Sequence, residues 1–273
     1  MGRTLAGVWA HPDDECYAMF GSVVRHSTDP RFRLVVLHAT DGDAGEIAPG
    51  VPATREGLGA WRRAEDVAAW RALGTEPERH VWLGHGDGRL AEVGERLVDE
   101  VADFLRAERP DVVLTFGPDG VTGHPDHVAI GAATEAAFHR VRAEVAACGG
   151  TAPGSIGPGL QRLLFGCIPR RAWLIAQRYR VRAGLGAWDP SEVYHLRGVP
   201  DEDVGVVIRH REGLERMLAA HKEHASQRHV VFDPAGSDER WMKVLSLETW
   251  VLAWPPRESG APVLTDVFEG LDE

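Results

Sequence analysis

Cysteine is scarce in this sequence, and the few cysteines show no pattern of a disulfide or metal framework. The 273 residues contain three, Cys16, Cys148 and Cys167, which are odd in number, far apart and without a CxxC pair. A secreted disulfide scaffold or a cysteine-rich zinc site needs more cysteines at closer spacing. We therefore expect reduced thiols, with Cys16 buried in helix packing.

Long hydrophobic runs and an excess of basic residues are also absent. No run of about 18 uncharged apolar residues occurs, the length that spans a bilayer, and the N-terminal MGRTLAGVWAHPDDE lacks a signal-peptide core. The formal net charge of −11 would repel a polyanion. These absences predict a cytoplasmic protein with no transmembrane segment and no nucleic-acid partner.

Apolar residues make up 44% of the chain and charged residues 26%, as in soluble globular proteins. Short apolar runs alternate with amphipathic stretches over the first half, which is typical of strands and crossover helices in a parallel sheet. The pattern predicts an α/β fold, a Rossmann-like three-layer sandwich with a mostly parallel sheet, plus a less regular C-terminal extension. Predicted strands are 5–10, 33–39, 80–83 and 111–116, and predicted helices are 56–73, 93–105 and about 123–145.

The chain is predicted to hold a catalytic core at 1–147, a Gly/Pro-rich connector at 148–159, and a part at 160–273 that completes the same domain and the substrate pocket. In the last part, strands are predicted at 163–165 and 204–208, and helices at 210–224 and 238–250. The loop at 40–59 is too long for a routine strand-to-helix connection, which makes it a predicted substrate lid. The helix at 56–73 is predicted to bury an apolar face of Leu58, Trp61, Val67, Trp70 and Leu73.

The segment AHPDDE at 10–15 stands where the first predicted strand ends and a helix begins. Side chains at this point project from the carboxyl edge of the sheet, where ligands bind in doubly wound folds. His11 and Asp14 are three residues apart, close enough to converge in a turn that Pro12 stiffens, while Asp13 points elsewhere. The pattern predicts two converging ligands and one separate carboxylate.

A second cluster, GHPDH at 123–127, follows the fourth strand, and its His124 and His127 repeat the spacing of three. In a sheet of order 3-2-1-4-5 the first and fourth strands are neighbours at the switch point, so both clusters meet in one crevice. Two imidazoles and one carboxylate plus water make up an open catalytic zinc site, although Fe(II), Co(II) and Mn(II) accept the same donors. Either cluster alone is explained as simply by a helix cap; together they predict a metal site.

Other classes of protein fit these residues less well. A nucleotide-binding oxidoreductase lacks its GxGxxG in the first strand-to-helix turn. A metal phosphoesterase would need a second metal site and more carboxylates. An inactive binding module would require loss of the candidate base or ligands, all of which are present.

The two clusters resemble the signature motifs of the PIG-L/LmbE-like zinc-dependent de-N-acetylases, a family that includes mycothiol-pathway and glycosylphosphatidylinositol-pathway enzymes. The resemblance implies one Zn²⁺ per chain, with Fe²⁺ or Co²⁺ as other ions, and a ligand set of His11, Asp14 and His127. It also implies that Asp13 is the general base, that His124 is the acid or oxyanion partner, and that Asp126 orients His124. Where the mycothiol-pathway enzyme has a tyrosine, this chain has Thr122, which weakens assignment to that substrate.

The expected reaction is removal of an N-acetyl or related acyl group from an amino sugar such as an N-acetylglucosaminyl conjugate. The alternative is hydrolysis of a thiol conjugate or another small-molecule amide. Three further residues are candidate substrate contacts: Arg55, Asp87 and His224.

An arginine-rich segment at 169–182 contrasts with the acidic chain. It interleaves arginines with Trp173, Leu174, Ile175 and Tyr179, and Arg162 was counted with them as a nearby cation. A solvated amphipathic helix is the preferred interpretation. The alternatives are contact with a partner subunit, as in a homo-oligomer, contact with an anionic carrier or substrate, and contact with a membrane surface.

Overall fold

The computed structural model describes residues 3–147, 159–228 and 237–271. The predicted connector at 148–159 lies outside the described residues except for Gly159, so the proposed division of the chain stays a prediction. The described strands form one sheet and are β1 (Arg3–Trp9), β2 (Phe32–Thr40), β3 (Arg79–His85), β4 (Val112–Phe116), β5 (Arg162–Gly166), β6 (Val204–Arg209) and β7 (Leu247–Trp254).

The sheet has the order β3-β2-β1-β4-β5-β7-β6. Strands β1 to β5 are parallel to one another, and β7 runs antiparallel between β5 and β6. The predicted order of the first five strands and the α/β fold class are confirmed. Strand β4 is buried throughout and β1 nearly so, as expected for parallel strands covered on both faces.

Helices cover both faces of this sheet. On one face α3 packs against α8, and on the other α5 packs against α6. The helices are α1 (Asp14–Ala18), α2 (Phe20–His26), α3 (Leu58–Leu73), α4 (Leu90–Val93), α5 (Glu95–Glu108), α6 (Pro125–Ala147), α7 (Arg170–Arg182), α8 (Leu214–Glu223) and α9 (Asp238–Leu245), with a 3₁₀ turn at Asp201–Asp203.

The C-terminal prediction was partly wrong. The helix predicted at 238–250 ends at Leu245, and Leu247–Trp254 is strand β7. Its residues LETWVLAW carry β-branched and aromatic side chains, which favour a strand, and they pair with β5 on one side and β6 on the other. The helix predicted at 210–224 begins at Leu214, after a left-handed Gly213.

The buried face of α3 also differs from the prediction. Trp61 and Val67 are exposed by 36% and 38%, so they do not belong to the core. The side chains that turn inward are instead Leu58, Arg62, Glu65, Asp66, Ala69, Trp70 and Leu73. Three charged residues therefore occupy the middle of a buried helical face.

Strands β1 and β4 are adjacent, and the chain leaves them toward opposite ends of the sheet. Their carboxyl ends define the switch point. The helix that follows β4 lies very close to it, because a Cβ at Gly131 of α6 would overlap the carbonyl oxygen of Phe116. Within the described ranges, no helix is long and apolar enough to cross a membrane.

Candidate metal and catalytic site

Asp14 is held in place by the turn that follows β1. It is the first residue of α1, and its Oδ2 accepts hydrogen bonds from the backbone N–H groups of Ala10 at 3.1 Å and His11 at 2.8 Å. The other oxygen, Oδ1, lies 3.2 Å from Nε2 of His127. The Asp14 carboxylate thus fixes the backbone at the end of β1 and also contacts the second cluster.

His127 comes from the first turn of α6, and its ring orientation is set from two sides. Its Nδ1 lies 3.0 Å from the carbonyl oxygen of Gly120; since a carbonyl only accepts, Nδ1 carries a proton, and Nε2 is the nitrogen that faces Asp14. The ring stacks on Phe116 with a centroid distance of 4.0 Å. A ligand nitrogen fixed by a hydrogen bond at its other nitrogen is the usual arrangement at metal sites.

His11 contacts three carboxylates. Its Nε2 is 3.1 Å from Asp87 Oδ1 and 3.3 Å from Asp126 Oδ2, and its Nδ1 is 3.7 Å from Asp14 Oδ2. Burial lowers the pKa of His11, but hydrogen bonds to Asp126 and Asp87 and the charge of Asp14 outweigh it and raise the pKa to about 10. This strongly negative pocket favours a cation at His11.

The donor set fits a divalent metal. With the Nε2 proton of His11 directed at Asp87 and Asp126, its Nδ1 faces Asp14, while His127 offers Nε2 to the same carboxylate. His11, His127 and His124 offer ligand nitrogens within 4.8 Å of one another. Two imidazoles and a carboxylate at a partly open site match the donors of catalytic zinc, but they do not select zinc alone.

Asp13 has a strained backbone and a carboxylate separate from these ligands. Its φ is 115°, outside the regions that side chains favour, and its N–H donates to Glu15 Oε2 at 3.0 Å. Its Oδ2 is 3.2 Å from Arg62 Nη2. Burial raises the pKa of Asp13, Arg62 lowers it and Asp14 raises it, with a net rise.

His124 lies beside both candidate histidine ligands. Its ring centroid is 4.7 Å from that of His11 and 4.9 Å from that of His127. The backbone N–H of Asp126 donates to its Nδ1 at 3.1 Å, so a neutral ring carries its proton on Nε2. Burial, followed by the charges of His11 and His127, lowers the pKa of His124 to about 4.

Asp126 contacts both His11 and His124. Its carboxylate accepts from the N–H groups of Gly88 at 2.7 Å and Leu90 at 3.0 Å and contacts His11. Only its backbone N–H reaches His124. Asp126 therefore contacts His11 and the loop before α4 through its carboxylate and His124 through its backbone, and its role in orienting His124 stays a prediction.

The three candidate substrate contacts occupy very different positions. Asp87 faces His11 with a side chain only 7% exposed, and its Oδ2 accepts from the N–H of Ala44 in the predicted lid. Arg55 is exposed and donates to the carbonyl oxygen of Asp43. His224 is buried and contacts Glu15 Oε1 at 3.3 Å. Substrate contact by each of the three residues stays a prediction.

The residues that support Asp13 were not predicted from the sequence. Arg62 is 4% exposed and also donates to the carbonyl oxygens of Pro12 at 2.7 Å and Gly42 at 2.9 Å. Glu15, fully buried, accepts from His38 Nε2 at 3.0 Å besides Asp13 N–H. A signal was present for Arg62, because it shares a helical face with Leu58 and Trp70, where a lone arginine is out of place.

An α/β protein with a candidate metal-binding cluster at the switch point is the class that this fold and site define. The family model described as PIG-L: GlcNAc-PI de-N-acetylase matches residues 7–138. One relative is the 1D-myo-inositol 2-acetamido-2-deoxy-alpha-D-glucopyranoside deacetylase of Rhodococcus erythropolis. It is 30% identical to this chain, and the alignment covers 98% of each chain. The chain therefore belongs to the PIG-L family.

Solved structures share the fold at low identity. An N,N'-diacetylchitobiose deacetylase from Pyrococcus horikoshii has a TM-score of 0.60 at 19% identity, covering 92% of this chain and 83% of that one. A 4-carboxy-2-hydroxymuconate hydratase from Pseudomonas putida has a TM-score of 0.59 at 15% identity, covering 95% and 100%. Since a deacetylase and a hydratase share this fold, the fold alone does not define the reaction, which depends on the residues of the site.

Proposed function

We propose that this protein is a metal-dependent hydrolase that removes the N-acetyl group from an amino-sugar conjugate, with Zn²⁺ as its metal. The observation that carries the proposal is the convergence of His11, Asp14 and His127. The neighbouring carboxylate of Asp13 contacts Arg62 instead of these three residues. Ligands and a spare base in one crevice are what amide hydrolysis requires. The name of the Rhodococcus relative supports an N-acetylated amino sugar as the substrate.

A divalent ion bound by the three ligands would polarise the acyl carbonyl and lower the pKa of a water molecule. The protein's own contribution begins with Asp13. Its carboxylate accepts the proton of the attacking water, and Arg62 at 3.2 Å holds the carboxylate in position. The same proton is then available for the amine that leaves, so that the products are a free amine and acetate.

His124 provides the second protein group of the proposed reaction. Because its Nδ1 accepts from the Asp126 backbone, its Nε2–H is the group that donates to the oxygen of the tetrahedral intermediate. A preorganised donor in a partly buried site stabilises such an oxyanion more than water does. Of the two roles expected for His124, the hydrogen-bonding geometry favours the oxyanion partner.

The test is release of primary amine from a panel of acetylated compounds. It should contain N-acetylglucosaminyl inositol, N,N'-diacetylchitobiose, an N-acetylated thiol conjugate and an acyclic amide. We expect activity on the sugars, bound metal near one per chain, loss of activity on chelation, and recovery with zinc or cobalt. Full activity of metal-free protein would refute the metal assignment, and cleavage of the thiol conjugate alone would replace the sugar by the alternative substrate.

A further inference from the structure

Tyr194 lies against the catalytic imidazole although the proposed reaction gives it no role. Its ring centroid is 5.2 Å from that of His124, with an interplanar angle of 72°. The residue is nevertheless 65% exposed, so most of the ring surface remains available to a ligand. An exposed aromatic ring at the edge of a reactive site is a typical substrate contact.

The position of Tyr194 is fixed by the loop that carries the second cluster. Residues 183–200, which we call the arm, follow α7 and return to this loop. The N–H of Tyr194 donates to Thr122 O at 2.9 Å, and the N–H of Arg197 donates to Val121 O at 2.8 Å. The guanidinium of Arg197 also packs on Gly123, where a Cβ would overlap it. The arm thus follows the same loop as His124.

Backbone strain marks the same place. Tyr194 has a φ of 68°, Val121 opposite it has 63°, and Asp13 has 115°. Such values are unfavourable for residues with a Cβ, and for the β-branched Val121 in particular. Three of the five non-glycine residues with positive φ in the described part of the chain flank this one site, and strain of this kind tends to collect at functional sites.

Core packing does not account for Tyr194. No residue of α7 is buried, and the arm has only exposed or half-buried residues. A tyrosine that gains little burial and adopts a strained backbone must be stabilised by its surroundings. The hydrogen bond to Thr122 O provides that, and its effect is to keep the ring beside His124.

We infer that Tyr194 is a substrate-specificity residue whose ring contacts the pyranose ring of the amino sugar. This inference rests on the proposed function. A pyranose presents an apolar face of C–H groups together with polar edges, and tyrosine matches it with an apolar ring that ends in a hydroxyl. With the acyl group at His124, the sugar that bears it lies within reach of the neighbouring Tyr194 ring.

The test compares Tyr194→Asn with Tyr194→Phe. Asparagine tolerates positive φ, so Tyr194→Asn removes the ring while keeping the backbone. We expect its KM for N-acetylglucosaminyl inositol to rise about tenfold, the usual size of a lost apolar contact, with kcat within about twofold of wild type. Tyr194→Phe keeps the ring and should restore most of the affinity.

Two controls separate recognition from structure. KM for N-acetylethanolamine, an acyclic amide without a sugar ring, should not change in Tyr194→Asn. Tyr179→Ala removes another exposed tyrosine, which contacts Arg240 instead of the site, and should leave both KM values unchanged. Metal content and thermal midpoint are measured for every variant.

The outcomes distinguish this inference from the proposed function. Wild-type protein that cleaves no acetylated sugar refutes the function, and the inference with it. Active wild type with an unchanged KM in Tyr194→Asn refutes the inference alone. So does an equal rise of KM on the acyclic amide, or a Tyr194→Phe variant as impaired as Tyr194→Asn.

Discussion

The adjacent carboxylates Asp13 and Asp14 provide the sharpest test of the proposed chemistry, because a helix-capping explanation treats them alike. In the structure they do different things. Asp14 faces both candidate histidine ligands and accepts two backbone hydrogen bonds. The carboxylate of Asp13 contacts Arg62, and its backbone N–H donates to Glu15. Substitution should therefore separate metal binding from turnover.

Asp14→Ala should lose metal and stability together. It removes a ligand and leaves the N–H groups of Ala10 and His11 without their acceptor. An unsatisfied buried donor costs roughly 1–3 kcal/mol, so two of them predict a loss of roughly 2–6 kcal/mol in the free energy of unfolding. Asp14→Asn keeps an oxygen for those donors, and we expect it to weaken metal binding with a smaller loss of stability.

Asp13→Asn should behave in the opposite way. Asparagine has nearly the same volume, tolerates the φ of 115°, and retains the N–H that donates to Glu15. Metal content should stay near wild type, and the loss of stability should be smaller than in Asp14→Ala because Arg62 keeps its hydrogen bonds to the carbonyl oxygens of Pro12 and Gly42. The kcat should fall by about 10²- to 10⁴-fold, the usual contribution of a positioned base.

The assay combines metal analysis by mass spectrometry, urea unfolding and steady-state kinetics on all three variants. The matched comparison is Asp13→Asn against Asp14→Asn, which make the same chemical change one residue apart. Metal loss in Asp13→Asn as complete as in Asp14→Ala would show that Asp13 is a ligand. Turnover at the wild-type rate would remove it from the mechanism.

Two further predictions concern the helices around the site. If the substrate is anionic, replacing the exposed Arg171 and Arg178 of α7 by serine should raise KM a few-fold and leave metal content intact. This magnitude follows from surface ion pairs of about 0.2–1 kcal/mol each. Unchanged KM and oligomeric state would favour the solvated-helix interpretation. Gly131→Ala should destabilise the protein by about 1–3 kcal/mol, because the new Cβ meets Phe116 O and the close packing of α6 on β4 must loosen. The exposed Ala132→Ser is its control, and an equal thermal midpoint in both variants would contradict the reasoning.

Sequence patterns predicted the elements that follow the regular alternation of strand and helix. The first five strands and their order follow from alternation of apolar runs with amphipathic helices, and the inner strands β1, β2 and β4 are largely buried, whereas β3 at the edge is not. Strand β7 was missed because LETWVLAW becomes a strand only when β5 and β6 are in place on either side of it. Local propensity is a weak guide where tertiary pairing decides.

The basic segment shows how one-dimensional counting misleads. Arg162 was grouped with the arginines of α7, yet it lies on β5 with a buried side chain and donates to the carbonyl oxygens of Val267 and Glu269. It satisfies the C-terminal segment and contributes nothing to a basic surface. The arginines of α7 itself remain outside the core, as predicted.

The sequence by itself determined the two clusters and their convergence, because two motifs that follow neighbouring parallel strands must meet at the carboxyl edge of the sheet. Only the tertiary structure decided which groups support them. Arg62 of α3 and His38 of β2 lie 49 and 25 residues after Asp13 in the sequence. Tyr194 of the arm lies 70 residues after His124. Such contacts arise from the packing of separate elements, which no local spacing records, and the buried charges they bring together are stable only because each finds its partner there.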